Sequence, residues 1–251
     1  MVNSGTVSPA CMTYKIRNPR LILLTGFVIF STWISPQLCA QDSTAVPLLV
    51  TEKYKEYKKQ VKADAEKKMI EVKTFIPSLV YDLRYAGTNN FTHRAMYPEH
   101  TSQTYMRLPA AIALGEVMDE LKPKGLGLKI FDAYRPYSVT VAFWELIKDE
   151  RYVANPSRGS GHNKGIAVDL TIINLKTGEE LNMGTGFDNF SDTAHQDFTS
   201  LPEEVLQNRA LLKTTMEKHG FKAFETEWWH YFLANGDKYE VLDISFNKFK
   251  N

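Results

Sequence analysis

Two side chains with metal-ligating atoms, His162 and Asp169, flank a loop that runs into an alternating apolar segment. The alternation over residues 166–174 predicts a β-strand that turns one face to a core and leaves Asp169 on the other. An imidazole nitrogen and a carboxylate oxygen both suit a divalent cation, for which zinc is the usual occupant. A third ligand must come from elsewhere, and His230 is the best source, since Glu227 three residues earlier adds a second carboxylate.

These residue types would support hydrolysis. Three ligands from His162, Asp169 and His230 leave one position of a tetrahedral zinc open, which distinguishes catalytic from structural zinc. Glu227 would act as a general base toward water only if the backbone bends there, because residues three apart lie on opposite faces of a flat strand. Arg135 follows a predicted strand at a turn, and it would stabilise the oxyanion of a tetrahedral intermediate if that turn faces the site.

Each of these residues also has a purely structural interpretation. His162 and Asp169 could form a hydrogen-bonded pair, and His230 could be a core histidine beside two tryptophans. Arg135 could pair with Asp132 and lock the turn between strand and helix. The residue types alone leave both interpretations open.

Three motifs together resemble a known family. They are residues 160–169 (SGHNKGIAVD), residues 227–230 (EWWH) and residues 132–136 (DAYRP). In their order along the chain they are similar to the zinc D-alanyl-D-alanine dipeptidases of the VanX type. Those enzymes belong with the D-Ala-D-Ala carboxypeptidases and the hedgehog-like zinc domain. The resemblance covers roughly residues 75–240 and includes residues 81–91 (YDLRYAGTNNF).

The resemblance assigns roles by position. It implies one zinc ion per chain bound by His162, Asp169 and His230, catalysis by Glu227 and Arg135, and substrate binding by Ser160, Asp188 and Tyr85. Asp188 and Tyr85 would lie near the free amine of a dipeptide. A carboxylate that captures an ammonium group would measure the length of the substrate.

The pattern of apolar residues predicts the elements that must position these groups. Helices are expected at 108–121, 137–148 and 202–219, and strands at 78–85, 126–131, 166–174 and 228–233. Residues 182–201 form a long loop, and 236–251 a short polar tail. We expect an α+β fold of the hedgehog and D,D-peptidase kind, with a central, mainly antiparallel sheet flanked by helices.

The N-terminal residues have the order of a secretory signal peptide. Lys15, Arg17 and Arg20 precede an apolar run over 21–34, and the small residue Ala40 follows. The run is shorter than the roughly 20 residues that span a bilayer. An uncleaved anchor, or lipidation at Cys39, are the alternatives.

The predicted organisation therefore has three parts. A signal peptide occupies 1–40, a tether with a Lys-rich amphipathic helix over 52–73 occupies 41–74, and the catalytic domain occupies 75–251. The lysines of this helix form either a solvated face or a contact to an anionic cell surface, and the solvated face is the simpler expectation.

The net charge and the positions of the cysteines limit the range of possible functions. Both cysteines, Cys11 and Cys39, lie in the predicted leader, so the mature chain would make no disulfide. Loss of the leader would change the net charge from +1 to about −2, which does not favour nucleic acid.

The sequence predicts a periplasmic or secreted zinc dipeptidase with no stable membrane span in the mature chain. It would hydrolyse D-Ala-D-Ala in peptidoglycan turnover or dipeptide salvage. A D,D- or L,D-carboxypeptidase acting on longer wall peptides, and a non-catalytic zinc-bearing binding module, are the alternatives.

Overall fold

The elements below come from a computed structural model that describes residues 47–250. The strands are β1 (Val50–Thr51), β2 (Met69–Glu71), β3 (Val80–Tyr81), β4 (Tyr105–Arg107), β5 (Leu126–Asp132), β6 (Ala167–Asn174), β7 (Phe221–Ala223), β8 (His230–Leu233) and β9 (Val241–Leu242). The α-helices are α1 (Tyr54–Ala63), α2 (Val72–Phe75), α3 (Leu108–Leu121), α4 (Tyr137–Leu146), α5 (Gly161–Lys164) and α6 (Glu203–Lys218). The predicted signal peptide and residues 41–46 of the predicted tether lie outside this part of the chain.

A five-stranded sheet in the order β3-β5-β6-β8-β7 forms the centre of the fold. Strand β3 is parallel to β5, and every other neighbouring pair is antiparallel. The expectation of an α+β fold with a mainly antiparallel central sheet is confirmed. The boundaries of the three predicted parts of the chain stay predictions.

Strand β6 follows the alternation of its sequence. Val168, Leu170 and Ile172 are fully buried in the main core, while Asp169 lies on the opposite face. Helix α3 supplies much of the rest of this core, and Pro109 in its first turn is compatible with helix initiation, where its missing N–H costs no hydrogen bond. Helices α4 and α6 are close to their predicted bounds, because their apolar faces repeat at helical spacing.

A β-bulge in strand β5 turns part of that strand toward the other face of the sheet. Ile130 pairs with Leu170 and Asp132 pairs with Asp169, so two steps along β5 match one step along β6. Ile130 therefore shares the core face of β6, whereas Asp132 shares the face that carries Asp169. The extra residue places a carboxylate beside the predicted metal ligands.

The segment before residue 75 differs from the predicted long helix. Helix α1 ends at Ala63, because the Asp64 side chain accepts a hydrogen bond from the backbone N–H of Glu66 and starts a separate 3₁₀ turn. Strand β2 then pairs antiparallel with β4. The predicted strand over 78–85 is likewise reduced to β3, and a 3₁₀ turn over Arg84–Ala86 follows it.

The expectation of a polar tail over residues 236–251 is wrong. Strand β9 pairs in parallel with β1, and Ile244, Phe246 and Phe249 are buried in a second, largely aromatic cluster. Tyr57 of α1 packs in the same cluster, with its ring centroid 5.3 Å from that of Phe249. The pairing links residues far apart in the chain and has no local sequence signature.

Candidate metal centre and active site

The three predicted metal ligands converge at one end of the central sheet. Asp169 on β6 lies directly opposite His230 on β8, and its Oδ1 is 2.9 Å from His230 Nδ1. His162 from α5 places Nε2 at 3.2 Å from His230 Nδ1 and at 3.4 Å from Asp169 Oδ2. One ligand atom from each residue lies within 4.8 Å of the other two. The arrangement could hold a metal ion.

The local structure around α5 fixes the orientation of His162. Ser160 caps this helix, accepting from the backbone N–H groups of His162 and Asn163, and the Asn163 side chain caps in return. His162 Nδ1 donates a hydrogen bond to the carbonyl oxygen of Ala133 at 2.7 Å. A carbonyl acceptor at Nδ1 leaves the lone pair of Nε2 available to a cation.

The electrostatics of the site keep Asp169 ionised. Burial opposes ionisation of Asp169, but the nearby His162 and His230 outweigh it and lower the pKa of this carboxyl well below its usual range. Burial also disfavours a charged His230, although the hydrogen bond with Asp169 raises its pKa overall. Asp169 therefore stays a carboxylate, the form that binds a cation.

The backbone bends at Glu227, as general-base catalysis requires. Strand β8 begins only at His230, and the N–H of His230 donates to the carbonyl oxygen of Glu227 across a turn. The Oε2 atom of Glu227 lies 3.8 Å from His230 Nδ1. Burial raises the pKa of Glu227 to about 8. A carboxyl group with such a pKa can gain and lose a proton near neutral pH.

The surroundings of Arg135 fit both interpretations of its sequence position, the structural pairing with Asp132 and the side chain that faces the site. Its Nε and Nη2 atoms donate to Asp132 Oδ2, at 3.0 and 2.8 Å. The guanidinium packs over the rings of Tyr85 and Phe143, and Nη2 is 3.9 Å from Asp169 Oδ2. The arginine locks the turn and also faces the ligands.

Asp188 and Tyr85 form a second polar group in the site. The Tyr85 hydroxyl donates to Asp188 Oδ1 at 2.9 Å, and the backbone N–H of Phe91 approaches Asp188 Oδ2 at 3.3 Å. Burial raises the pKa of Asp188 to about 7. The residue has a positive φ of 60°, which holds the loop in a left-handed turn.

All eight predicted site residues line one cavity of about 520 Å³. Ser160 is among them, although its hydroxyl already caps α5, and its role in substrate binding stays a prediction. Other lining residues include Tyr152, Phe190, Lys222 and Phe224. The geometry therefore brings the proposed ligands, the proposed base and the proposed amine-binding carboxylate into one cleft.

Sequence reasoning missed two polar residues behind the site. Tyr97 donates to Asp132, and both residues are buried. Asn163 donates to the carbonyl oxygen of Arg135 and to the Thr140 hydroxyl. The spacing of Asp132 and Arg135 pointed to their pairing, but no local pattern connects Tyr97 to that pair.

The fold, the convergent His–Asp–His set and the partly buried acid beside it are those of a metallohydrolase. The chain belongs to the peptidase family M15, whose model, described as D-Ala-D-Ala dipeptidase, matches residues 65–250. It is therefore an enzyme of the metallopeptidase class. Among the described residues, no helix has the length and apolar character needed to cross a membrane.

Three relatives carry the name D-alanyl-D-alanine dipeptidase. The Escherichia coli K12 protein is 33% identical over 181 residues, covering 72% of this chain and 92% of that one. The Enterococcus faecalis protein is 31% identical, covering 62% of this chain and 86% of that one. The Streptomyces coelicolor protein is 29% identical, covering 64% of this chain and 89% of that one. Among solved structures, the LdcB LD-carboxypeptidase aligns with a TM-score of 0.37 and 23% identity, covering 56% of this chain and 64% of that one. A structural similarity this low has no bearing on function.

Proposed function

We propose that this chain is an exported zinc dipeptidase that hydrolyses D-Ala-D-Ala, in peptidoglycan turnover or dipeptide salvage. The convergence of His162, Asp169 and His230 within 4.8 Å, beside the partly buried Glu227, carries the proposal. The similarity to relatives named D-alanyl-D-alanine dipeptidase supports the choice of substrate.

The donor set fits zinc. Two imidazole nitrogens and one carboxylate oxygen are ordinary zinc ligands, and three protein ligands suit a catalytic site. Zinc bound there would lower the pKa of a water molecule and polarise the scissile carbonyl. The Ala133 carbonyl already holds His162 in the tautomer that zinc needs.

The remaining polar groups have separate roles in the cleavage of the peptide bond. Glu227 accepts a proton from the attacking water and delivers it to the leaving amine, and its raised pKa makes its carboxylate a stronger base than that of an ordinary glutamate. Arg135 donates to the carbonyl oxygen as negative charge develops there. Both side chains line the cavity with the three ligands.

Asp188 selects substrates by their length, because it binds the free amino group. Its partly buried carboxylate and the Tyr85 hydroxyl line the cavity, where the ammonium group of a substrate can supply a counter-charge to the carboxylate. A free amino terminus would then be bound at a fixed distance from the metal. D-Ala-D-Ala satisfies this requirement, whereas an N-acylated peptide lacks the charge.

Product analysis with parallel metal analysis tests the proposal. The purified protein should contain one zinc per chain and convert D-Ala-D-Ala to free D-alanine. Chelation should abolish the release, and added zinc should restore it. Hydrolysis that survives complete removal of metal would refute the mechanism, and a zinc-loaded protein inert toward every wall peptide would favour a binding module.

The size of the cleft favours one alternative substrate class. Its volume of about 520 Å³ falls in the range of pockets for drug-sized ligands, roughly 300–1,000 Å³, and exceeds what a dipeptide occupies. A D,D- or L,D-carboxypeptidase would use the same catalytic residues on longer wall peptides. Turnover of D-Ala-D-Ala compared with that of a pentapeptide ending in D-Ala-D-Ala decides between them.

Export rests on the N-terminal sequence alone. The basic residues before the apolar run over 21–34 support a signal peptide, and the absence of cysteine from 47–250 suits an oxidising compartment. Cell fractionation and N-terminal sequencing of the mature protein test it. A full-length chain found in the cytoplasm would contradict the proposed compartment.

A further inference from the structure

The long segment between β3 and β4 brings Tyr97 to the rear of the active site. The backbone N–H of Tyr97 donates to the Tyr85 carbonyl oxygen, and its ring packs 4.9 Å from that of Phe246. Its hydroxyl donates to Asp132 Oδ1 at 2.5 Å. Tyr97 is 5% exposed and Asp132 0% exposed, so no solvent competes for this hydrogen bond.

The two oxygens of Asp132 have separate partners. Tyr97 occupies Oδ1, and Arg135 donates two N–H groups to Oδ2. With Oδ1 held, the carboxylate cannot rotate without breaking a buried hydrogen bond. The plane of the Arg135 guanidinium is fixed in turn.

The fixed guanidinium retains donors for a substrate. Its Nη1 atom donates to no protein group within residues 47–250, and the side chain lines the active-site cavity. The guanidinium packs against the rings of Tyr85 and Phe143. Asp132 therefore sets the direction of the donors that Arg135 presents to the cleft.

We propose that Tyr97 is a positioning residue that aims Arg135 at the reacting carbonyl through Asp132. Burial and the charge of Asp132 raise the pKa of the Tyr97 phenol well above its ordinary value. The hydroxyl therefore keeps its proton and stays a donor throughout the neutral range. The inference rests on the proposed hydrolytic function, in which Arg135 stabilises the transition state.

Tyr97→Phe removes only the hydroxyl. We expect kcat to fall about 10- to 100-fold, as for a misaligned catalytic group, with KM changed less than about twofold. Tyr57→Phe is the matched control, because this buried hydroxyl accepts from the Met69 N–H away from the site. It should lower Tm without changing kcat. A Tyr97→Phe variant that loses stability but keeps its kcat would overturn the proposal.

A double-mutant cycle tests whether Tyr97 acts through Arg135. Tyr97→Phe should reduce kcat in the wild-type background but by less than about twofold in an Arg135→Ala background, since the two changes remove one function. Independent, multiplicative losses would overturn the proposal.

A measurement without substrate separates this inference from the proposed function. Nitrogen-15 NMR can follow the exchange of the Arg135 Nε–H with solvent in each variant. We expect faster exchange in Tyr97→Phe and unchanged exchange in Tyr57→Phe. Should the wild type fail to cleave D-Ala-D-Ala, faster exchange would still support the positioning of Arg135 by Tyr97, whereas unchanged exchange would overturn it.

Discussion

Asp169 Oδ1 lies 2.9 Å from His230 Nδ1, across two adjacent antiparallel strands. Two of the three proposed ligands are thus held by the hydrogen-bond ladder of the central sheet. His162 is held separately, by the Ala133 carbonyl oxygen. Two sheet strands and a capped helix thus hold the three proposed ligands side by side.

Metal removal should lower Tm while the fold persists. A cation that binds only the folded chain adds stability that grows with its free concentration. Calorimetry should show a lower Tm in chelator, recovered with zinc. His230→Ala should lose this response, and His219→Ala, a surface histidine paired with Glu116 and Glu120, should keep it. An undiminished zinc response in His230→Ala would contradict the proposed site.

Glu227→Gln should abolish most activity and leave the metal bound. Glu227 is not among the convergent ligand atoms, so zinc content by elemental analysis should stay at one per chain. Loss of the general base should lower kcat by about 10² to 10⁴. Glu225→Gln, an exposed neighbour, should behave as the wild type. Retention of full kcat in Glu227→Gln would show that the carboxylate is not the general base.

Asp188→Asn should weaken the binding of substrates with a free amine. A charge-assisted hydrogen bond is worth about 1.5–3 kcal/mol, so KM for D-Ala-D-Ala should rise by roughly 10- to 100-fold. The N-acetylated dipeptide has no ammonium group, and its weak turnover should not change. Asp192→Asn, an exposed carboxylate in the same loop, serves as the control. Equal losses on both substrates would indicate a structural role.

The pH dependence of stability should reveal the raised pKa of the partly buried Asp188. Its pKa is raised to about 7, whereas an unfolded aspartate titrates near 3.9. Between these values the folded chain keeps a proton that the unfolded chain has lost. The free energy of unfolding should therefore fall as the pH rises, by at most about 1.4 kcal/mol per pH unit.

Comparison with Asp188→Asn isolates this contribution, because the amide does not titrate. In urea unfolding of the metal-free proteins, the stability of the variant relative to wild type should increase between about pH 4 and pH 7 and then level off. A difference that stays constant, or that shrinks with rising pH, would contradict the raised pKa.

Arg209→Met should disorder the loop that carries Asp188. Arg209 on α6 is buried and donates to the carbonyl oxygens of Met183, Thr193 and His195. Its loss removes these three hydrogen bonds, and each buried acceptor left unpaired costs about 1–3 kcal/mol. We expect faster proteolysis within 182–201 and a larger change in KM than in kcat. The exposed Gln207→Met on the same helix should change neither.

The sequence was most informative where local periodicity decides the structure. Strand β6 and helix α3 lie within one residue of their predicted bounds, because apolar side chains repeat at the spacing of each element. The need of the same strand for one buried face also placed Asp169 on the other face, whereas the ligand set with His162 and His230 was implied by the family resemblance. The individual roles of the eight site residues stay predictions.

Long-range pairing and irregular backbone could not be predicted in this way. Tyr97 reaches Asp132 from a segment without periodicity, and β9 pairs with a strand almost two hundred residues earlier. The bulge in β5 was equally hidden, since Ile130, Phe131 and Asp132 are all buried and show no alternation of polarity. Such features depend on contacts formed only in the folded chain.

The bulge gives β5 one more residue than β6 between the pairs Ile130–Leu170 and Asp132–Asp169. In a regular ladder, Phe131 would pair with Asp169 and Asp132 with Val168, so that Asp132 would point into hydrocarbon and Arg135 would lose its anchor. The proposed metal ligands on β6 and β8 would keep their places. The proposed catalysis therefore depends on an irregularity of a single residue, and a shift of β5 into regular register would leave a cation site without its arginine.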